Sequence, residues 1–308
     1  MRKTLSSKKV FITGIEGFTG FHLKRTLLKS GYEVYGSSLK ELKESGVYRA
    51  DIRDKERMAE VLREVEPDFI IHLAGLSFTA NDDIRELFEI NCFATVNLLD
   101  AICEIGLKPK KVILASSAIV YGEQNSEVLE ESMCPNPANP YANSKNAMEN
   151  AAKRYFKKIP VIIARPFNYV GVGQKDDFVI PKIVKHFKEG KKEIELGNID
   201  VKREFNDVRY VAQAYERLMN SPVSGEIVNI CSQRGVSLRE VIKTMEEIAG
   251  YEIKVKINPK FVRENEIKVL IGSTKKLYSL IEPPKNYSLK ETLREIFEKD
   301  SDRLRVAS

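Results

Sequence analysis

The chain of 308 residues has no tryptophan, three histidines and four cysteines. Cys92, Cys103, Cys134 and Cys231 stand far apart with no C-x-x-C pair, which argues against a disulfide framework or a zinc site. His22, His72 and His186 are just as scattered and read as structural, so no metal is expected. No apolar run reaches the ~18 residues that span a bilayer, so no membrane association is expected. The opening stretch from Met1 to Lys9 has no apolar region of the signal-peptide kind, which makes the cytoplasm the expected compartment. Charge of one sign is also scarce: 50 Lys and Arg stand against 44 Asp and Glu, a surplus of +6 spread along the chain. Nucleic-acid binding calls for clustered basic stripes, and none is present. A thin surplus does suit a small anionic ligand. Hydrophobic residues at 43% and charged residues at 31% give a chain that can bury a sizeable core.

What is present is an alternation. Short apolar runs at 9–14, 32–36, 67–74, 111–116 and 161–165 alternate with helical patterns at 20–30, 55–65, 84–105 and 140–157. Strands and helices in turn predict right-handed crossovers and a mostly parallel sheet. The strands are near-continuous apolar runs, as expected where helices cover both faces. The fold class is therefore α/β, a doubly wound, Rossmann-type parallel sheet. After Pro166 the loops lengthen and the rhythm breaks, while Ile227-Val228-Asn229-Ile230 looks like one more strand. These features predict a dinucleotide-binding domain over 1–168, a strand returning to its sheet near 225–232, and a smaller, discontinuous C-terminal lobe over 169–308.

Thr13-Gly14-Ile15-Glu16-Gly17-Phe18-Thr19-Gly20 follows the first strand and opens the first helix. Gly14, Gly17 and Gly20 let backbone approach a pyrophosphate, and the helix N-terminus turns its partial positive charge toward the phosphates. Phe18 and Thr19 belong to the same loop. Dinucleotide sites often place Asp or Glu at the end of the second strand to hold the adenosine ribose. Here the stretch is Gly36-Ser37-Ser38-Leu39-Lys40. Ser37, Ser38 and Lys40 are compatible with a 2′-phosphate, so NADP(H) is favoured, with NAD(H) as the alternative. Asp51-Ile52 could flank the adenine, although Asp51 is equally a turn residue at a strand end.

Tyr141 and Lys145 lie one turn apart on one helix face, behind a cap and first-turn proline at Asn139-Pro140. A lysine ammonium and the helix N-terminus both favour the phenolate, which is how a phenol with an ordinary pKa near ~10 exchanges protons near neutral pH. Ser117 follows the preceding strand, at the strand ends that line the ligand crevice of such sheets. Its hydroxyl can hold a substrate hydroxyl or carbonyl while Tyr141 moves the proton.

These residues, with His72-Leu73-Ala74-Gly75 and Val120-Tyr121-Gly122, resemble the extended short-chain dehydrogenase/reductase superfamily. Arg165-Pro166-Phe167-Asn168 with Gly171-Val172-Gly173-Gln174 resembles the R-x-F-N-x-x-G-P-G-Q stretch of nucleotide-sugar enzymes. Leu196-Gly197-Asn198 with the segment from Arg203 to Arg209 resembles their L-G-N…R-D-F-x-D-V-R, and Val262-Arg263-Glu264-Asn265-Glu266 with Leu270-Ile271-Gly272-Ser273 resembles R-P-x-E-V…L-x-G-(S/D). The likeness covers roughly residues 10–280 and is greatest to the GDP-mannose 4,6-dehydratase and GDP-6-deoxy-mannose reductase branch.

The resemblance implies roles. Ser117, Tyr141 and Lys145 would be catalytic. Gly14, Gly17, Phe18, Thr19, Gly20, Leu73, Ala74 and Asn91 would line the cofactor, alongside Ser37, Ser38, Lys40, Asp51, Ile52 and the Tyr141/Lys145 pair. Ser77, Ser117, Asn168, Arg203 and Arg263 would meet substrate, the arginines by charge-assisted bonds to a diphosphate unless they are solvated surface pairs. Asp207 reads as a helix cap or arginine partner. Phe178, Leu196, Val201 and Phe205 are as compatible with core as with contacts to a base. The C-terminal lobe becomes a nucleotide-sugar substrate lobe, and a homodimer through the helices at 84–105 and 141–157 is implied.

Family members that dehydrate resemble T-S-E-x-Y-G at the Ser117 stretch. Here Ile119 takes the place of the carboxylate, and Ile cannot act as acid or base. The expectation is NADPH-dependent reduction of the C4 ketone of a nucleotide-linked 4-keto-6-deoxyhexose, of the GDP-4-keto-6-deoxymannose type. A C4-epimerase with tightly bound NAD comes second and a 4,6-dehydratase third. A dinucleotide-binding regulatory or scaffold protein is the non-enzymatic alternative, but such a protein should have lost the Tyr or Lys that this chain keeps.

Overall fold

The computed structural model describes residues 7–77, 83–262 and 267–299. The first half runs β1 (Lys9–Thr13), α1 (Phe18–Lys29), β2 (Glu33–Ser38), β3 (Val47–Arg49), α2 (Lys55–Val65), β4 (Phe69–His72), α3 (Ile84–Phe88), α4 (Ala94–Glu104), β5 (Lys111–Ala115), α5 (Pro140–Ala152) and β6 (Val161–Pro166). Shorter pieces follow: β7 (Tyr169–Val170), α6 (Val179–Lys188), β8 (Glu193–Leu196), β9 (Lys202–Glu204), β10 (Asn206–Asp207), α7 (Val208–Met219), β11 (Glu226–Ile230), β12 (Gly235–Ser237), α8 (Leu238–Ala249), β13 (Lys254–Ile257), β14 (Val269–Leu270), α9 (Lys275–Leu280) and α10 (Leu289–Glu298).

Seven strands form one sheet in the order β11-β6-β5-β4-β1-β2-β3, and every pairing in it is parallel. Alternate strand residues serve opposite faces. Val10 and Ile12 join Leu23 and Leu27 of α1 and the apolar side of α7 in one core, whereas Phe11, Ile70 and Leu114 join α2, α4 and Met148 of α5 in the other. The returning strand β11 pairs with β6 in the register Ile227↔Ile163. The second lobe has its own core, where α6, α8 and α10 meet around Ile183, Val241, Met245 and Leu293.

Three local features differ from the sequence expectation. Strand β3 is added at the sheet edge, too short to show a period. The pattern at 84–105 is interrupted, since Glu89–Phe93 forms a π-helical turn between α3 and α4. Helix α5 stops at Ala152 and tightens into a 3₁₀ turn over Lys153–Tyr155, short of residue 157.

The functionally decisive point is the reversal of strand order. After β3 the chain crosses back over β1 to lay down β4, so the loops after β1 and β4 leave the sheet side by side. In such sheets that switch point is the ligand crevice. Thr13 and His72 are register partners there, and a Cβ placed on Gly14 would lie 3.0 Å from the backbone of Ala74.

Candidate active site

The glycine loop is built by close approach. Gly14 has φ +68°, its amide donates to the Ser37 carbonyl at 3.0 Å, and Gly17 N–H donates back to the Gly14 carbonyl at 3.0 Å. A Cβ on Gly20 would meet the Gly14 and Ile15 carbonyl oxygens at 2.4 and 2.6 Å, so only glycine lets α1 start this near the strand. Helix α1 begins at Phe18 with no side chain capping its first amides, which leaves them directed at the crevice. At the end of β2, Ser38 Oγ accepts from Lys40 N–H at 2.9 Å, while the buried Ser37 Oγ has no partner. Lys40 is exposed and Ile52 buried, and Asp51 is held by Arg53, which keeps its carboxyl below the usual carboxylate range. An uncapped helix start, a cradle that tolerates no Cβ and a buried hydroxyl awaiting a partner fit a dinucleotide.

A directed hydrogen-bond chain fixes the floor of the crevice. Thr95 donates to the Asn91 carbonyl at 3.0 Å, so His72 Nε2–H must donate to Thr95 Oγ1 at 2.9 Å. His72 Nδ1 then accepts from Thr13 Oγ1 at 2.8 Å, and that hydroxyl accepts from Leu73 and Ala74 N–H at 3.2 and 3.1 Å. Burial holds His72 neutral, with its pKa pulled down to about 3. Asn91 lies in the π turn. Its Oδ1 accepts from Leu76 N–H at 2.9 Å, and its Nδ2 donates to the Leu76 carbonyl and to Ser144 Oγ at 3.2 and 3.1 Å. The loop after β4 is thereby tied to α5.

Helix α5 starts where the sequence places it, with Asn139 Oδ1 accepting from Ala142 N–H at 2.9 Å. The Tyr141 hydroxyl hydrogen-bonds the Ser117 side chain. Burial pushes the phenol up to about 12, and the Ser117 bond pulls it the other way. Lys145 Nζ donates to the Ala115 carbonyl at 2.9 Å; burial lowers its pKa to about 8, opposed by the Glu149 carboxylate. Ile119, which stands where dehydrating relatives carry a carboxylate, is half-buried and packs on the apolar cluster that includes Ala118, Tyr121 and Phe167.

Ser77 is exposed on the loop after β4. Asn168 is exposed just after β6, with its carbonyl accepting Asn206 N–H at 3.0 Å. Arg203 on β9 donates Nη1 to the Lys202 and Lys268 carbonyls at 2.9 and 3.3 Å, and Nη2 to the Ile267 carbonyl. Arg263 lies outside the described residues. Asp207 caps α7 through Arg209 N–H at 2.8 Å and pairs with the Arg209 guanidinium. Leu196 and Val201 are buried, and Leu196 belongs to the lobe core on which Phe205 packs.

Two features escaped the sequence reading. Tyr169 stacks on Phe18 with ring centroids 5.9 Å apart, and its hydroxyl shares a hydrogen bond of 2.7 Å with Thr19 Oγ1, joining the glycine loop to the chain after β6. Glu149, four residues beyond Lys145, is fully buried and ion-paired to Arg165. Its spacing was the available signal.

A doubly wound sheet with a glycine loop at its switch point and a Ser–Tyr–Lys cluster at its strand ends defines a nucleotide-binding protein of the extended short-chain dehydrogenase/reductase class. Within that class the chain belongs to the GDP-mannose 4,6 dehydratase family, whose model matches residues 11–296. It is 34% identical to GDP-6-deoxy-D-talose 4-dehydrogenase of Aggregatibacter actinomycetemcomitans over 89% of this chain and 91% of that one. It is 32% identical to GDP-6-deoxy-D-mannose reductase of Pseudomonas aeruginosa over 97% and 99%. Among solved structures, a Burkholderia cenocepacia J2315 protein described provisionally as an epimerase superposes with TM-score 0.89 at 40% identity, over 97% of this chain and 99% of that one. RMD from Pseudomonas aeruginosa complexed with NADPH superposes with TM-score 0.83 at 31% identity, over 95% and 98%. No helix among the described residues is long and apolar enough to cross a membrane.

Proposed function

We propose that this protein reduces the C4 ketone of a GDP-linked 4-keto-6-deoxyhexose with NADPH. The observation that carries the reading is the Tyr141 phenol, hydrogen-bonded to Ser117 one turn before Lys145 at the mouth of the crevice, with Ile119 where a dehydrating enzyme needs a carboxylate. Bound NADPH supplies the hydride for C4. Ser117 holds the C4 oxygen, Tyr141 donates its proton to that oxygen, and the Lys145 ammonium stabilises the phenolate left behind. Gly14, Gly17, Gly20 and the start of α1 would hold the pyrophosphate, with Leu73, Ala74 and Asn91 along the crevice floor. The end of β2 has no carboxylate to repel a 2′-phosphate, and it offers the buried Ser37 hydroxyl and the exposed Lys40. Ser77, Asn168, Arg203 and Arg263 are the proposed substrate contacts. Two copies would associate through α3, α4 and α5, where Ile84 of α3 and Phe93 of the π turn before α4 are 53% and 55% exposed.

The second reading is C4 epimerisation with tightly held NAD, favoured by the likeness to the Burkholderia protein. The test is consumption of NADPH, followed by its near-ultraviolet absorbance, with freshly generated GDP-4-keto-6-deoxymannose. Stoichiometric loss, faster with NADPH than NADH, is expected. A flat trace with GDP-, dTDP- and UDP-linked ketosugars, together with interconversion of a hexose and its C4 epimer without net cofactor change, would replace reduction by epimerisation.

A further inference from the structure

Helix α5 carries three ionisable residues in line. Tyr141, Lys145 and Glu149 recur every four residues and so share one helix face. The end of β5 receives that face piece by piece. Ser117 bonds the Tyr141 hydroxyl, the Ala115 carbonyl accepts from Lys145 Nζ, and Ser116 Oγ donates to Glu149 Oε1 at 2.5 Å. The Ser116 amide donates to the Ala164 carbonyl of β6 at 2.7 Å, and the next residue of β6, Arg165, grips Glu149 through Nε at 2.9 Å and Nη2 at 2.6 Å.

We propose that Glu149 is a positioning residue for the C4 reduction inferred above: clamped by Arg165, its carboxylate fixes the end of β5 against α5 and presents to Lys145 the negative charge that keeps the ammonium protonated. This inference rests on that reading of the reaction. Stability does not account for the arrangement, because a buried ion pair is often no more stabilising than apolar residues of the same volume. The side chains of Arg165 and Glu149 are only 2% and 1% exposed, so the cost of burying both charges is unrelieved by solvent. Lys145 is buried too, and burial alone favours its neutral form. Glu149 apart, the ionisable groups around it are neutral or cationic. On β4, His72 is neutral; on β6, Arg165 is a cation lying beyond Glu149, its guanidinium 4.6 Å from the centre of the Tyr121 ring; on α5, Tyr141 is a neutral phenol. Glu149 is the anion that supports the ammonium. Replacing it with a neutral residue removes that attraction and leaves burial unopposed, which pushes Lys145 toward its neutral form.

The test separates charge from geometry. With Glu149→Gln, the alkaline limb of the pH profile of kcat should move to lower pH by about 1–3 units. With Glu149→Asp, which keeps the charge but shortens the reach to Arg165 and Ser116, the limb should stay while kcat falls about tenfold or more. The ionisation of Lys145 is read independently of turnover, by competitive acetylation with acetic anhydride across pH and mass spectrometry of the peptide carrying it. That readout moving in Glu149→Gln and staying in Glu149→Asp supports the proposal. An unmoved Lys145 titration in Glu149→Gln overturns it, as does an equal shift in both variants. Should Glu149→Gln fail to fold, the Glu149→Asp profile decides: a displaced Lys145 titration, or an undiminished kcat, overturns the proposal. If the parent protein reduces no ketosugar, the reaction assignment is what fails, and the acetylation profiles still judge Glu149.

Discussion

Mild acid should destabilise this fold through one histidine. His72 is closed in by Thr13 and Thr95, and burial pulls its pKa down to about 3, whereas an unfolded chain binds a proton there near ~6.5. Between those values the unfolded state carries more protons than the folded one. The stabilisation is therefore complete above about pH 6.5 and is lost as pH falls toward about 3, at about 1.4 kcal/mol per unit. From about pH 6.5 to about pH 5 the loss from this residue is about 2 kcal/mol. The comparison is wild type against His72→Gln, which does not titrate but keeps an amide for hydrogen bonding. Urea unfolding of both across the window isolates the residue, because His22, also depressed by burial, contributes equally to both proteins. Gln should be the less stable at neutral pH, and the gap should narrow by about 2 kcal/mol at the acid end. Two stability curves that run parallel would mean that His72 accepts a proton inside the fold, and the neutral, direction-fixed chain described above would be wrong.

Other perturbations bear on the crevice and the chemistry. Tyr141→Phe should lower ketosugar turnover by ~10²-fold or more while leaving the dissociation constant for NADPH, read by fluorescence titration, near that of the parent; surviving turnover would remove Tyr141 as the proton donor. Gly20→Ala forces a Cβ to 2.4 Å from the Gly14 carbonyl oxygen, and strain of even ~1.4 kcal/mol in the loop weakens NADPH binding about tenfold. Unchanged affinity in the same titration would separate the loop from the cofactor. Asn91→Ala leaves the Leu76 amide without its acceptor and removes the donor to Ser144 Oγ, which keeps its bond to the Tyr141 carbonyl; a stability loss of about 1–3 kcal/mol by urea midpoint is expected, with kcat falling more than NADPH affinity.

What the sequence could show depended on whether a residue's reason was local. Gly14 and Gly20 were readable because a tight turn and a helix start leave no alternative to glycine. The Tyr141/Lys145 pair was readable because four residues make one turn, and Asn139-Pro140 because caps act on their own helix. Glu149 sits in the same periodicity, but its partner Arg165 lies on the next strand and its contact with Ser116 crosses from helix to sheet. Nothing in either stretch alone marks a buried ion pair. Tyr169 escaped for the same reason, since its partners Phe18 and Thr19 are far away in sequence. The π turn at Glu89–Phe93 replaces one helical repeat with a slightly longer one, a difference a hydrophobic pattern does not register. The second lobe was legible only in outline. Its strands are two to four residues long and its helices are held by a core that gathers side chains from α6, α8 and α10.

The place of β11 in the sheet has a consequence for how the protein is made. Its neighbour β6 is complete by Pro166, but the strand that closes this side of the sheet begins only at Glu226, after α7. A ribosome releases the amino-terminal part first, and until the later segment emerges β6 offers Val161, Ile162 and Ile163 along an unpaired edge. Over the same interval the α1 face of the sheet lacks Tyr210, Val211 and Tyr215 of α7, which fill its core. A fragment ending near residue 168 would keep both deficits permanently and would tend to aggregate through that edge. The nucleotide crevice and the lobe beyond it are thus joined in synthesis: the first becomes stable only when the chain of the second has been made.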